Sequence, residues 1–182
     1  MQSDAAILDS AALIVCDAGP LIHLDELGCL ALLTDFQTVL VPDQVWQEVQ
    51  QHRPTALTHS GLTLQRVSVS LDPSTTFQKL VHRLTLGLGE QAALSLIASC
   101  PTAILLTDDA AARLAAQTLN YRAHGTLAIL LRSLRRNQKT TAEVIQILQT
   151  LPTNSTLHIR RAFLQSVIAE VINFDPTKLQ KK

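Results

Sequence analysis

Five acidic residues of this chain lie next to apolar runs, in positions where their carboxylates could share a metal ion. They are Asp17, Glu48, Glu90, Asp108 and Asp109. Asp17 and the Asp108–Asp109 pair each follow a run that predicts a buried strand, and residues just past the ends of parallel strands converge on one crevice. Clustered carboxylates repel one another unless a divalent cation neutralises them, and oxygen ligands suit Mg²⁺ or Mn²⁺. The pattern therefore indicates a metal-dependent phosphoryl-transfer site.

Each of these acids also has a purely structural explanation. Asp17, and one member of the Asp108–Asp109 pair, can cap the helix that follows its strand. Glu90 stands in the first turn of a predicted helix, where its charge complements the helix dipole. Glu48 also lies on a predicted helix and could simply be solvated. Together the acids favour the metal site, because a nuclease needs carboxylates to hold the cations that activate water and stabilise the phosphate.

A group of cations lies near the C-terminal end of another predicted helix. It consists of Arg132, Arg135, Arg136 and Lys139. Two explanations are open: a solvated face that complements the helix dipole, or a patch that contacts phosphate groups. The chain has 15 Lys+Arg and 15 Asp+Glu, which gives a formal net charge of zero. Binding to nucleic acid therefore depends on a local patch of this kind.

Other motifs point away from alternative cofactors. The run Gly87–Ala92 matches the dinucleotide fingerprint G-x-G-x-x-A, but a helical segment precedes it and Glu90 would repel a pyrophosphate. The histidines lack the spacing of zinc ligands. The three cysteines form no C-x-x-C pair, which predicts small buried side chains in a reducing compartment. The sequence shows no signal peptide and no apolar run of roughly 18 residues, so we expect a cytoplasmic protein without membrane contact.

The elements that must position the acids alternate between strands and helices. Strands are predicted at residues 13–16, 39–41, 62–69, 103–107 and 121–123, and helices at residues 21–33, 42–49, 74–84, 90–98, 110–119, 125–136, 140–151 and 156–172. This alternation predicts an α/β fold with a parallel central sheet and helices on both faces. Because 47% of the 182 residues are hydrophobic, we expect one cored domain at residues 12–174. Residues 1–11 are predicted to be a loose leader and residues 175–182 a tail.

In their order along the chain, these residues resemble the sequence boxes of the PIN-domain superfamily, and within it the branch related to VapC toxin ribonucleases. The boxes are D-A-G-P-L-I from Asp17, V-P-D-Q-V-W-Q-E ending at Glu48, G-L-G-E-Q-A around Glu90, and L-L-T-D-D ending at Asp109. The third box is similar to that of a less studied PIN-like subfamily. Gly19 departs from the pattern, because a hydroxyl residue that helps to orient the metal usually stands there.

The resemblance implies a PIN-like fold and a Mg²⁺- or Mn²⁺-dependent endoribonuclease, the toxin of a toxin–antitoxin pair. RNA would be the substrate and an antitoxin protein a partner. The implied catalytic and metal-binding acids are Asp17, Glu48, Glu90 and Asp109, with Asp108 as a further metal ligand. The resemblance also implies a homodimer built largely from helices. Residues Leu127, Leu130, Leu131 and Leu134 fit this, because they exceed what one helix face needs for its own core.

One other class of function remains open, and a further class does not fit the order of the acids. A PIN-like module could keep the acids and act by binding or regulating a partner; Gly19, the zero net charge and the 3% aromatic content favour this. Phosphatases and receiver domains also use acids at strand ends. A phosphatase needs D-x-D after its first strand, where this chain has Asp17-Ala18-Gly19. A receiver needs paired acids there and a lone aspartate later, which is the reverse of the order found here.

Overall fold

The computed structural model describes residues 13–174. The predicted leader and tail lie outside the described residues. Within the described part of the chain, no helix is long and apolar enough to cross a membrane.

A five-stranded parallel sheet forms the centre of the fold. Its strands are β1 (Leu13–Cys16), β2 (Thr38–Pro42), β3 (Leu64–Val67), β4 (Ile104–Leu106) and β5 (Ala123–His124). Their spatial order is β3-β2-β1-β4-β5, so β1 is the central strand and pairs with both β2 and β4. Because all strands are parallel, their carboxyl ends lie at one edge of the sheet, and the predicted strand-end acids follow β1 and β4 there.

Eight α-helices surround this sheet in the described residues. They are α1 (Ala18–Glu26), α2 (Asp43–His52), α3 (Thr75–Leu84), α4 (Leu88–Ala98), α5 (Ala110–Thr118), α6 (Thr126–Arg135), α7 (Thr141–Asn154) and α8 (Arg161–Ile172). Strand residues alternate between two apolar cores: Ile14 and Cys16 enter one, together with residues of α1, α2, α6, α7 and α8. Val15 enters the other, with residues of α3, α4 and α5. The predicted α/β fold with helices on both faces is confirmed.

Two helix boundaries differ from the sequence prediction for identifiable reasons. The predicted helix over residues 21–33 is broken at Gly28, whose φ of +63° is left-handed, and a 3₁₀ helix (Leu30–Asp35) follows. The last helix begins at Arg161 instead of residue 156. Glu26 of α1 accepts hydrogen bonds from the backbone N–H of Thr156 at 2.8 Å and from the Ser155 hydroxyl at 2.9 Å. These hydrogen bonds to α1 keep residues 155–160 out of the helix that follows.

Candidate metal and nucleic-acid site

Asp17 lies at the junction between the central strand β1 and helix α1. Its backbone continues the sheet by donating to the Leu106 carbonyl at 2.9 Å. It occupies the N-cap position of α1, yet its side chain makes no capping hydrogen bond. The side chain is only 6% exposed, and the Thr107 hydroxyl donates to its Oδ2 at 2.8 Å. The carboxylate is therefore buried at the sheet edge without making a capping hydrogen bond to its own helix.

Glu48 and Glu90 approach Asp17 from two helices that pack against each other, α2 and α4. The surroundings of Gly89 on α4 show how close the carboxylates of Glu48 and Asp17 lie to this helix. A Cβ atom at Gly89 would lie 3.1 Å from Glu48 Oε2 and 3.8 Å from Asp17 Oδ1. Both carboxylates thus border the same stretch of α4 backbone, and a larger residue at position 89 would push Glu48 away. The Gly87–Ala92 run follows helix α3, not a strand, so its glycines serve close packing beside the acids.

The surroundings of Asp17 and Glu48 raise the pKa of both carboxyl groups. Burial raises the pKa of Asp17 to about 7, with further upward contributions from the charges of Glu90 and Glu48, while the hydrogen bond from Thr107 acts in the opposite direction. Burial and the charge of Glu90 also raise the pKa of Glu48. Asp17 is buried, Glu90 is half-buried and Glu48 is exposed. The charges of the two glutamates therefore act on a desolvated aspartate, and a divalent cation would relieve that repulsion.

The neighbouring aspartates Asp108 and Asp109 have different surroundings. Asp109 is the N-cap of α5, and its Oδ1 accepts from the Ala112 N–H at 2.7 Å. Asp108 turns toward α1 and α6, where its Oδ2 accepts from His23 Nδ1 at 2.8 Å and from the Thr126 hydroxyl at 2.6 Å. One member of the pair therefore caps a helix, as the sequence suggested, and the other is held between α1 and α6.

The predicted basic patch divides into a buried and an exposed part. Arg132 is only 2% exposed and its guanidinium pairs with Asp35 at 2.6 Å while lying over the Phe36 ring at 4.5 Å. This corrects the expectation that Arg132 contacts phosphate, because its charge is used inside the protein. Arg136, at the surface, pairs with the same Asp35 at 2.9 Å. Burial lowers the pKa of Arg135, with a smaller contribution from Arg132, and Lys139 is half-buried.

A groove that the sequence prediction did not include begins at Asp108. It has a volume of about 730 Å³ and runs between the sheet edge at β5, helix α6 and the segment leading into α8. Cationic or titratable side chains line one part of it, namely Arg113, His124, His158 and Arg160. Phe163, which is 56% exposed, lines another part. These residues come from four separate segments, so no spacing in the sequence signals the groove.

The apolar residues of α6 are largely covered within one chain. Leu130 and Leu134 are 0% and 4% exposed in the core. Leu127 and Leu131 are partly buried, and they line the groove opposite α8. Because α8 lies across the groove from Leu127 and Leu131, this face of α6 is partly enclosed within one chain. The homodimer stays a prediction.

The acids suit a divalent cation in chemical type. Asp17, Glu48 and Glu90 offer only oxygen donors, which hard cations such as Mg²⁺ and Mn²⁺ prefer. Burial and the charges of Asp17 and Asp108 raise the pKa of the neighbouring Cys16 thiol well above its usual value, so without a metal this thiol stays protonated beside the acids. Among residues 13–174, no three acidic, histidine or cysteine side chains are already arranged as a metal-binding group. Side chains of this cluster would therefore have to rotate toward a cation to hold it.

Comparison with known proteins gives one positive result. A family model described as a PIN domain matches residues 13–173, which is nearly the whole described chain. No curated protein matches the sequence significantly.

Proposed function

Because this chain belongs to the PIN-domain family, we propose that it is a divalent-metal-dependent endoribonuclease that hydrolyses phosphodiester bonds in RNA. PIN domains are generally metal-dependent nucleases. The observation that carries the proposal is the buried Asp17 carboxylate, which leaves its helix uncapped and shares its surroundings with Glu48 and Glu90. Such a group of acids costs folding free energy, and a bound cation would offset that cost.

The acids have distinct roles in this proposal. Asp17, Glu48 and Glu90 would hold Mg²⁺ or Mn²⁺, which supplies activation of water and neutralisation of phosphate charge when bound. Thr107 fixes the rotation of the Asp17 carboxylate by its 2.8 Å hydrogen bond. Asp109 has its Oδ1 engaged in capping and would contribute its charge and its other oxygen, and Asp108 would assist as a further metal ligand.

The groove beside Asp108 supports a single-stranded nucleic acid as the substrate. Arg113 and Arg160 can contact phosphates along it, and the exposed ring of Phe163 offers a face on which a base can stack. Arg136 and Lys139 would add to the field farther along α6 and the loop after it. Two acids, Asp108 and Glu170, line the groove together with Arg113 and Arg160. Attraction to RNA would therefore come from individual phosphate contacts and not from a net positive charge.

The toxin role, with an antitoxin protein as partner, and the homodimer also belong to this proposal. Two apolar side chains of α8 remain at the surface and are suited to a protein contact: Phe163, which lines the groove, is 56% exposed, and Ile172 is 61% exposed. Light scattering at micromolar concentration checks the dimer. A monomer there would contradict it without touching the nuclease proposal.

A binding or regulatory module is the second candidate function. It is favoured by the fact that the described acids are not already arranged as a metal-binding group, and by Gly19 in place of a hydroxyl residue. This candidate predicts RNA or protein binding that is the same with and without divalent metal.

A cleavage assay separates the two candidates. The full chain is incubated with mixed RNA, and in parallel with single-stranded DNA, in Mn²⁺, in Mg²⁺ and in EDTA. We expect metal-dependent cleavage of RNA that the Glu48→Gln variant loses. Asp72→Asn serves as the control, because this loop residue before α3 lies outside the acid cluster and Asn keeps its hydrogen bond with the Ser74 N–H. A wild-type protein inactive with every divalent metal would favour the binding module.

A further inference from the structure

We infer that His23 is a positioning residue for Asp108 and supplies a hydrogen bond that a hydroxyl side chain at position 19 could also supply. This inference rests on the proposed nuclease function, since it concerns how one acid of that site is held. It assigns a specific role to a histidine of α1 that neither its spacing nor its type identifies in the sequence.

The contact between His23 and Asp108 joins two elements that are far apart in the chain. His23 Nδ1 lies 2.8 Å from Asp108 Oδ2, across 85 residues of sequence. Both side chains are largely shielded, with 14% and 9% of their surface exposed. Because a carboxylate only accepts hydrogen bonds, the imidazole donates from Nδ1. A shielded bond to a charged acceptor is among the stronger hydrogen bonds, so it fixes the position of the carboxylate.

Asp108 has its remaining contacts on one side only. The backbone N–H of Thr126 donates to Oδ1 at 2.8 Å and the Thr126 hydroxyl donates to Oδ2 at 2.6 Å. Both donors belong to the start of α6. His23 is therefore the donor from α1, and it holds the carboxylate between two helices. With three of its roughly four lone-pair sites occupied, Asp108 keeps about one site toward the groove.

Gly19 lies beside both partners of this hydrogen bond. A Cβ atom at Gly19 would lie 3.4 Å from His23 Cε1 and 3.5 Å from Asp108 Cβ, both at or near ordinary van der Waals contact. The same atom would lie 3.7 Å from Asp108 Oδ2. A serine therefore fits at position 19, and its hydroxyl would start close enough to Asp108 to donate to it. Position 19 and His23 are thus two alternative sources of one hydrogen bond.

A rescue experiment with four proteins tests this relation. They are the wild type, His23→Ala, Gly19→Ser, and the double variant with both changes. Mn²⁺ affinity is measured by electron paramagnetic resonance, cleavage of RNA is measured in the same buffer, and the melting temperature is recorded. We expect His23→Ala to lower Mn²⁺ affinity and cleavage by about 10- to 100-fold, the usual effect of losing a group that orients a metal ligand. The double variant should recover most of both, and Gly19→Ser alone should stay near the wild type.

The controls make each result decisive. His82→Ala removes an exposed histidine of α3 and should change neither affinity nor cleavage. An active wild type with an unaffected His23→Ala variant overturns the inference and leaves the proposed function standing. Recovery of the melting temperature in the double variant without recovery of Mn²⁺ affinity also overturns it, because His23 would then have a structural role alone. A wild type that neither binds Mn²⁺ nor cleaves overturns the proposed function and this inference together.

Discussion

Asp17 and Asp109 occupy equivalent positions in this fold but use their carboxylates differently. Each stands at the N-cap of the helix that follows a strand, and the two strands, β1 and β4, are neighbours in the sheet. Asp109 caps α5 with a 2.7 Å hydrogen bond, and it is exposed. Asp17 makes no capping bond, is buried, and has its pKa raised to about 7.

Thr107 links the two aspartates and makes the contrast informative. Its hydroxyl donates to Asp17 Oδ2 and accepts from the Asp109 N–H at 3.2 Å. Asp109 thus stabilises the start of α5, whereas the Asp17 carboxylate is buried and makes no capping hydrogen bond to α1. A buried carboxylate that is unfavourable for folding points to a ligand more strongly than a carboxylate that caps a helix.

The largest expected effect is that of Asp17→Asn. Asn keeps the size of the side chain but removes one charge from the acid cluster. We expect cleavage with Mn²⁺ to fall by about 100-fold or more, since the change removes a metal ligand itself. The metal-free melting temperature should hold or rise, because the variant loses charge repulsion. Undiminished cleavage by this variant would end the metal-nuclease hypothesis, and Asp72→Asn is the matched control.

The pH dependence of the free energy of unfolding should differ between the wild type and Asp17→Asn. In the folded state the pKa of Asp17 is about 7, above its ordinary value of 3.8. The folded protein therefore holds this proton more tightly, and its contribution to stability is full below pH 3.8 and lost as pH rises through about 7. The stability advantage of Asp17→Asn over the wild type should grow across that window and stay constant above it. Metal-free denaturation at a series of pH values measures this, and an advantage independent of pH would contradict the raised pKa.

Mn²⁺ binding should show the opposite dependence on pH. Protonated Asp17 is not a ligand, so affinity should weaken as pH falls below about 7. Titrations of the wild type at pH values on both sides of this pKa measure the trend. Equal affinity throughout would place the cation away from Asp17.

Asp109 should give the smaller effects. Asp109→Asn keeps the cap, and we expect it to reduce cleavage by less than about tenfold, because its Oδ1 already serves the helix. Asp109→Ala removes the cap and should lower the free energy of unfolding by about 1 kcal/mol, or roughly 2–4 °C in melting temperature. Thr140→Ala, which removes the cap of α7, is the control that loses stability without losing cleavage. A loss of cleavage by Asp109→Asn as large as that by Asp17→Asn would contradict this prediction and show that both aspartates contribute equally to cleavage.

The sequence predicted the features that depend on local pattern. The apolar runs before Asp17 and Asp108 predicted two neighbouring strands, and parallel topology then placed their ends together. The sequence did not predict the ion pair of Arg132 with Asp35 or the hydrogen bond from the Thr156 N–H to Glu26, because each depends on a partner far away in the chain. The contact of His23 with Asp108 was missed for the same reason. Charge spacing on a helix indicates a face, but only tertiary packing decides whether that face meets solvent.

The central position of β1 has a consequence for the order in which the protein is made. Asp17 leaves the ribosome early, whereas its hydrogen-bond partner Thr107 follows 90 residues later. Pairing of β1 with β4 must wait for that segment and for closure of the long loop between them. The nascent chain therefore carries its first acid long before it can have a site. Under the proposed nuclease function, cleavage would begin only once β4 and the residues after it have joined the sheet.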